Sequence, residues 1–131
     1  MRQLVIDTNV LIRFLERGTD YAATFSHFDR LLIPAAVDGE YRSGLDESTV
    51  SGQRRKKVLD AFLESSAVEY VPVDREVSAE YAKVFRRLKE RGTPIPQNDI
   101  WIAATARLRR APLCSFDDHF KNVDAIELVA L

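Results

Sequence analysis

Apolar residues along the chain fall alternately into short runs and into helical spacing. Short runs of strand length predict five strands, at residues 4–6, 31–33, 68–73, 113–115 and 126–131. Between them, apolar residues recur every three or four positions, as they do on one face of a helix. This spacing predicts helices over residues 8–17, 21–30, 35–45, 52–65, 74–91 and 98–108, and a short turn or helix over 116–120. Short strands that alternate with helices predict an α/β protein whose parallel sheet is covered on both faces.

Glycine, proline and short polar residues predict where the helices end. Gly18 is expected to close the first helix and Gly92 to cap a later one. Asp74 is a predicted N-cap, and so is Asn98. The segment 93–97 holds two prolines and is predicted to be non-helical.

The length suits one folded unit. The chain has 131 residues, of which 46% are hydrophobic and 30% charged, an ordinary composition for a folded protein. No repeat, low-complexity tract or long linker divides it, so residues 1–131 are predicted to form a single domain. One cysteine, Cys114, excludes an intramolecular disulfide, and it lies in an apolar run typical of a buried thiol. Without a recognisable leader or a long apolar stretch, the protein is expected to be cytoplasmic.

The charge balance limits how the chain can bind a polyanion. Lys and Arg total 19 and Asp and Glu total 20, giving a net charge of -1. Binding of nucleic acid by general attraction is therefore not expected, and contacts must come from local basic patches or from a bound cation. Basic clusters at residues 54–57, 86–91 and 107–110 are either solvated helix faces or phosphate contacts.

Three acidic residues are expected at one edge of the sheet. Asp7 and Asp117 follow predicted strands, and Asp99 opens a helix after a proline-rich loop. Ligands of open parallel sheets bind beyond the carboxyl ends of the strands. Glu40 lies inside a predicted helix and reaches the same pocket only if that helix presents it inward. Clustered carboxylates repel one another unless a cation lies between them, and their oxygens are the ligands that Mg²⁺ and Mn²⁺ prefer. Such ions promote hydrolysis of phosphodiesters.

Position alone leaves other interpretations open for each acid. Asp7 and Asp117, or its neighbour Asp118, are equally placed to cap helices, and Asp99 is equally a first-turn acid that favours the helix dipole. Glu40 is equally a solvated helix residue. Spacing does not show that the four converge.

Four segments together resemble the motifs of PIN domains. Residues 4–12 (LVIDTNVLI) are similar to the first motif, an apolar strand followed by Asp-Thr-Asn, and residues 37–44 (VDGEYRSG) to the second, in which a helix presents a glutamate. Residues 95–104 (IPQNDIWIAA) resemble the third, and residues 115–120 (SFDDHF) the fourth. The segments occur in the family's order, and they span nearly the whole chain.

The subgroup that the chain most resembles is the VapC-type toxins. The resemblance implies a three-layer α/β/α sandwich with a central parallel sheet, usually as a homodimer. It also implies an endoribonuclease that uses Mg²⁺ or Mn²⁺ to cut RNA, with tRNA or rRNA as the common targets. A VapB-type antitoxin would inhibit it by placing a C-terminal segment across the active site, in a toxin–antitoxin hetero-oligomer.

The resemblance also assigns roles to residues. It makes four acids catalytic and metal-binding: Asp7, Glu40, Asp99 and Asp117. It gives Thr8 and Asn9 the task of orienting Asp7 or contacting phosphate, and it places Ser115 in a hydrogen bond near the metal or the attacking water. Asp118 is a second candidate beside Asp117.

Three other side chains invite a functional interpretation. His119 is either a catalytic base or a structural residue beside Phe120, and the family pattern favours the structural role. Trp101 is expected to pack rather than to stack on a base, because it keeps helical spacing with its apolar neighbours. His27 is expected to be a core or surface histidine.

Two other function classes fit the pattern less well. A metal-dependent phosphatase with an aspartyl nucleophile would carry a second Asp two residues after Asp7, where this chain has Asn9. A non-catalytic Mg²⁺-binding interaction module of the receiver type would carry adjacent acids near the first strand and a late lysine, and neither is evident.

Overall fold

A parallel sheet of five strands forms the centre of the protein. The computed structural model describes residues 1–17 and 20–131, so Gly18, the predicted end of the first helix, lies outside the described residues. The strands lie in the order β3-β2-β1-β4-β5, and each pairs in parallel with its neighbours. Their bounds are β1 Gln3–Ile6, β2 Arg30–Pro34, β3 Val68–Val71, β4 Leu113–Cys114 and β5 Leu128–Val129.

Helices connect these strands. They are α1 Thr8–Glu16, α2 Ala22–Phe25, α3 Ala35–Ser43, α4 Val50–Leu63, α5 Arg75–Arg91 and α6 Gln97–Arg109, and a 3-10 turn spans Asp118–Asn122. Among the described residues, none of the helices combines the length and apolarity that a membrane span requires.

The central strand shows that both faces of the sheet are covered. Leu4, Val5 and Ile6 of β1 are each at most 1% exposed. Successive side chains of a strand point to opposite faces, so burial of all three requires packed helices above and below. The predicted three-layer α/β/α architecture is therefore confirmed.

Two predicted helix boundaries are confirmed and one is wrong. The Asp74 carboxylate accepts a hydrogen bond from the Val77 amide at 2.9 Å and caps α5, which ends at Gly92 with a φ of 68°. Asn98 does not cap α6. The Pro96 carbonyl accepts from the Asp99 amide at 3.0 Å, so the helix begins at Gln97 and Asn98 lies within its first turn.

The helix predicted over residues 21–30 is much shorter, because only Ala22–Phe25 is helical. The backbone around Asp29 pairs with the start of β1 instead. Its amide donates to the Arg2 carbonyl at 2.7 Å, and its carboxylate accepts from the Arg2 amide at 2.8 Å. Strand pairing thus overrides a local helical pattern whose apolar residues pack in the core nonetheless.

Cys114 ends the short strand β4, between β1 and β5. It is a free thiol with no exposed surface, and burial raises its pKa to about 12. The predicted strand over residues 113–115 is one residue shorter in the structure, since the chain leaves the sheet at Ser115 and turns toward the edge where Asp7 lies.

Candidate metal centre

Asp7 is the innermost acid at the carboxyl edge of the sheet. It follows β1 directly, and its amide donates to the Cys114 carbonyl at 3.0 Å, which joins the ends of β1 and β4. Its side chain accepts from the Thr8 amide at 2.8 Å and from the Ser115 hydroxyl at 2.6 Å. Asp7 therefore caps α1 and also lies at the centre of the acidic site, so the two interpretations of the sequence are compatible.

The environment of Asp7 opposes its ionisation. Asp7 is only 4% exposed, and burial raises the pKa of its carboxyl. The hydrogen bonds from Ser115 and Thr8 lower that pKa in part, while the charges of Glu40 and Asp117 raise it further. Three of the four predicted acids are thus close enough to interact electrostatically.

Glu40 points from α3 toward the same site. The Thr8 hydroxyl donates to Glu40 Oε1 at 3.0 Å, which connects the first turn of α1 to the middle of α3. The hydrogen bond settles which way this half-buried carboxylate faces, a point that helical position alone left open. Thr8 orients Glu40 through its side chain and Asp7 through its backbone.

Asp99 lies in the first turn of α6, and its side chain is largely buried. Burial, together with the charges of Asp117 and Asp7, raises the pKa of its carboxyl to about 6, although the contact with His119 lowers it in part. A carboxylate beside other carboxylates in a partly buried site becomes easier to ionise when a cation arrives.

Asp117 completes the group from the segment that follows β4. Its amide donates to the Ser115 hydroxyl at 2.9 Å, and the same hydroxyl donates to Asp7. The Asp117 carboxylate accepts from the His119 amide at 2.9 Å and caps the 3-10 turn. One serine hydroxyl therefore sets the positions of two acids.

His119 lies among the acids, although the family pattern favoured a structural role for it beside Phe120. Its Nδ1 atom lies 3.1 Å from Asp99 Oδ2 and 2.9 Å from Asp117 Oδ1, and its side chain is half exposed. The hydrogen bond with Asp99 raises the His119 pKa, and the charges of both acids add to this. Phe120 is the residue that packs in the core. The only sequence signal was a histidine two residues after an acid that caps a tight turn.

The donor set fits a divalent cation. Asp99, Asp117 and His119 each offer one ligand atom, and these atoms lie within 4.8 Å of one another. Asp7 interacts with both Asp99 and Asp117 through its charge. Carboxylate oxygens are the ligands that Mg²⁺ and Mn²⁺ prefer. A bound cation would also offset the repulsion that raises the pKa of Asp7 and Asp99.

Several other candidates lie away from this group. Asn9 is exposed on the first turn of α1, and Asp118 is 86% exposed and pairs with Lys121 at 2.9 Å. Trp101 stacks on Tyr81, with 3.9 Å between the ring centroids, so it packs as expected. His27 is exposed.

About half of the basic residues in the predicted clusters form ion pairs within the described part of the protein. Arg55 pairs with Glu16 and Lys56 with Glu47. The remaining pairs from these clusters are Arg87 with Glu90, Arg87 and Arg91 with Asp124, Arg107 with Glu80, and Arg109 with Glu69. These residues serve mainly to join elements of the fold.

Comparison with known proteins agrees with this geometry. Residues 4–126 match the model of the PIN domain family. The chain is 31% identical to Ribonuclease VapC5 of Mycobacterium tuberculosis over 128 residues, which is 97% of this chain and 92% of that protein.

Solved structures show the same fold. A DNA-bound VapBC complex from Salmonella typhimurium contains a chain with a TM-score of 0.87 at 21% identity, covering 99% of this chain and 98% of that one. VapBC-5 of Mycobacterium tuberculosis, a member of the VapBC family of toxin–antitoxin systems, gives a TM-score of 0.74 at 26% identity with complete coverage of both chains. The buried acids at the sheet edge, the matched family model and the similarity over the whole length lead to one conclusion: the chain belongs to the PIN-domain family, among its VapC-type members.

Proposed function

We propose that residues 1–131 form a metal-dependent endoribonuclease domain that acts as the toxin of a toxin–antitoxin pair. The observation that carries the proposal is the convergence of four carboxylates from separate parts of the chain: Asp7, Glu40, Asp99 and Asp117. The named activity of Ribonuclease VapC5, which is similar over its length, supports RNA as the substrate class.

The four carboxylates would hold Mg²⁺ or Mn²⁺, whose charge would favour the ionised forms of Asp7 and Asp99. Such an ion supplies positive charge to the phosphodiester and makes water a better nucleophile near neutral pH. Ser115 keeps Asp7 and Asp117 in place, and Thr8 does the same for Glu40. His119 Nδ1 lies against Asp99 and Asp117, and a proton on this atom lowers the mutual repulsion of the two acids.

Substitution of the acids tests the site. Asp7→Asn, Glu40→Gln, Asp99→Asn and Asp117→Asn each remove a charge at nearly constant shape, and we expect each to abolish RNA cleavage in Mn²⁺ or Mg²⁺. Calorimetric titration with Mn²⁺ should show weaker binding in the same variants. EDTA should stop cleavage by the parent protein.

Asp118→Asn is the matched control, because it removes an exposed acid next to Asp117 that pairs only with Lys121 among the described residues. It should keep the parent rate. Cleavage by Asp7→Asn at the parent rate would refute the metal site. Release of phosphate from a monoester, with RNA left intact, would favour a phosphatase instead.

We further propose that the substrate is tRNA or rRNA and that a VapB-type antitoxin binds the chain. Structures of relatives are described as VapBC toxin–antitoxin complexes, which supports such a partner, and a homodimer within a larger toxin–antitoxin hetero-oligomer is the expected assembly. Expression of the chain alone should stop growth, and co-expression of a small adjacent gene should restore it. Mapping of new RNA ends after controlled expression would identify the target.

A further inference from the structure

An exposed aromatic residue stands in the sequence between two residues of the acidic site. Phe116 is flanked by Ser115 and Asp117, so its Cα atom is only about 3.8 Å from each of theirs. Its side chain is 42% exposed, although Phe120, four residues later, is fully buried. An apolar ring of this size is usually withdrawn from water when the core can accept it. Phe116 therefore presents aromatic surface on the segment that also carries Ser115 and Asp117.

The ring is held in place by its neighbours. The Arg13 guanidinium of α1 lies over it, with 4.4 Å between Cζ and the ring centroid. Tyr21, which is 8% exposed, has its ring centroid 6.4 Å away and connects Phe116 to Phe25 of α2. The buried Tyr21 ring and the Arg13 guanidinium thus limit the movement of Phe116 and leave 42% of it exposed.

The Arg13 charge is available for a ligand. Most arginines of the predicted basic clusters pair with carboxylates of the protein itself. Within residues 1–17 and 20–131, no carboxylate lies within salt-bridge distance of Arg13, which is exposed. Its positive charge beside an acidic pocket can offset the phosphates of a bound polyanion.

We propose that Phe116 and Arg13 form a platform on which an unpaired nucleobase stacks, next to the RNA phosphodiester that is cut. Single-stranded RNA is commonly bound by stacking of its bases on aromatic rings and on guanidinium planes. The Phe116 ring beside the Arg13 charge matches a nucleobase and its phosphate better than an apolar peptide side chain. An apolar side chain would remove water from the guanidinium without a compensating interaction. The inference rests on the proposed function, since it concerns the substrate of the same site.

The experiment compares three variants on a short unpaired RNA that carries 2-aminopurine at successive positions. Stacking on the platform should quench 2-aminopurine fluorescence at one position in the parent protein. Phe116→Leu, which keeps apolar volume but removes the ring, should lose this quenching and raise KM about ten-fold at similar kcat. Phe116→Tyr should retain both properties. Arg13→Ala should weaken binding and reduce its dependence on salt.

Phe85→Leu is the matched control, because Phe85 is 45% exposed and lies on α5, a helix that carries none of the four acids. It should leave quenching and KM unchanged. Quenching and KM at parent values in Phe116→Leu, with its fold verified by circular dichroism, would overturn the platform. The platform would also be overturned if Phe116→Leu weakened only the binding of a protein partner and left RNA binding unchanged.

The two proposals fail in different ways. Quenching is measured without metal and does not require cleavage, so a protein that stacks the base but never cuts RNA would contradict the nuclease and leave the platform supported. Normal cleavage by Phe116→Leu with unchanged KM would contradict the platform alone.

Discussion

At the scale of single residues, neutral hydroxyl groups set the positions of the acids. The Ser115 hydroxyl contacts both Asp7 and Asp117, and the Thr8 hydroxyl contacts Glu40. Hydrogen bonds of this kind fix the orientation of carboxylates that would otherwise move apart through repulsion. The site therefore depends on its uncharged residues as well as on its acids.

Ser115→Ala tests this dependence. The substitution removes one of the two hydrogen bonds to the Asp7 carboxylate and leaves the Asp117 amide without its partner, so we expect Mn²⁺ affinity and RNA cleavage to fall about 10- to 100-fold. Ser115→Thr keeps the hydroxyl and should recover most of the activity. An alanine variant as active as the parent protein would show that the acids hold their positions unaided.

The four candidate acids were proposed from motifs in the sequence, but the contacts around them could not be predicted from it. The position of Asp7 after a strand and of Asp99 at a helix start could be predicted from apolar patterns. The approach of His119 to Asp99 and Asp117 could not, because it depends on a 3-10 turn whose geometry leaves no periodic signal. The side-chain direction of Glu40 likewise required the tertiary contact with Thr8.

At the scale of elements, the helix that carries Glu40 is tied to its successor. Arg42 of α3 pairs with Asp38 at 2.9 Å and with Asp60 of α4 at 2.7 Å. The loop between the two helices packs closely on α4 at Gly52, where a Cβ atom would lie 1.8 Å from the Asp46 carbonyl oxygen. The orientation of α3 therefore depends on a close backbone contact outside the site.

Gly52→Ala should destabilise the protein by about 1–3 kcal/mol, because the added methyl group overlaps backbone atoms that have little freedom to shift. Urea unfolding followed by circular dichroism measures the change. Gly39→Ala is the matched control in α3, since a Cβ atom there would meet nothing within 4 Å. Alanine in a helix interior should raise the free energy of unfolding by about 0.5–1 kcal/mol. Equal effects of the two substitutions would contradict the close contact.

The succession of strands and helices along the chain was predicted correctly from the sequence, but their lengths were predicted less accurately. Apolar runs identified all five strands, but residues 126–131 yield only Leu128–Val129 as strand. Strand ends are set by which neighbouring backbone groups pair, and pairing joins residues far apart in the chain. The same cause shortened the helix predicted over residues 21–30.

At the scale of the whole molecule, the acidic site opposes the stability of the metal-free protein near neutral pH. Burial raises the pKa of Asp99 from 3.8 to about 6, and contact with Asp99 raises that of His119 above 6.5. A group whose pKa is higher in the folded state stabilises that state below its unfolded pKa, and the contribution is lost as pH rises through the folded value.

We therefore expect the melting temperature of the metal-free protein to fall between pH 5 and pH 8. Mn²⁺ should stabilise the protein more at pH 8 than at pH 5, since protons compete with the ion for the carboxylates. Groups with lowered pKa, such as Glu69 and Asp124, lose their contribution only at lower pH. Asp99→Asn should flatten the pH dependence. A pH-independent melting temperature in the metal-free parent protein would contradict this account.

The buried thiol of Cys114 gives the protein an internal reporter. Because the thiol is enclosed between β1 and β5 and its pKa is about 12, an alkylating reagent reacts with it only when the strand separates from its neighbours. The strand leads directly into the segment that holds Ser115, Phe116 and Asp117. The alkylation rate of a single native cysteine therefore measures how often this part of the sheet opens, and a cation or an RNA that steadies the site should slow it.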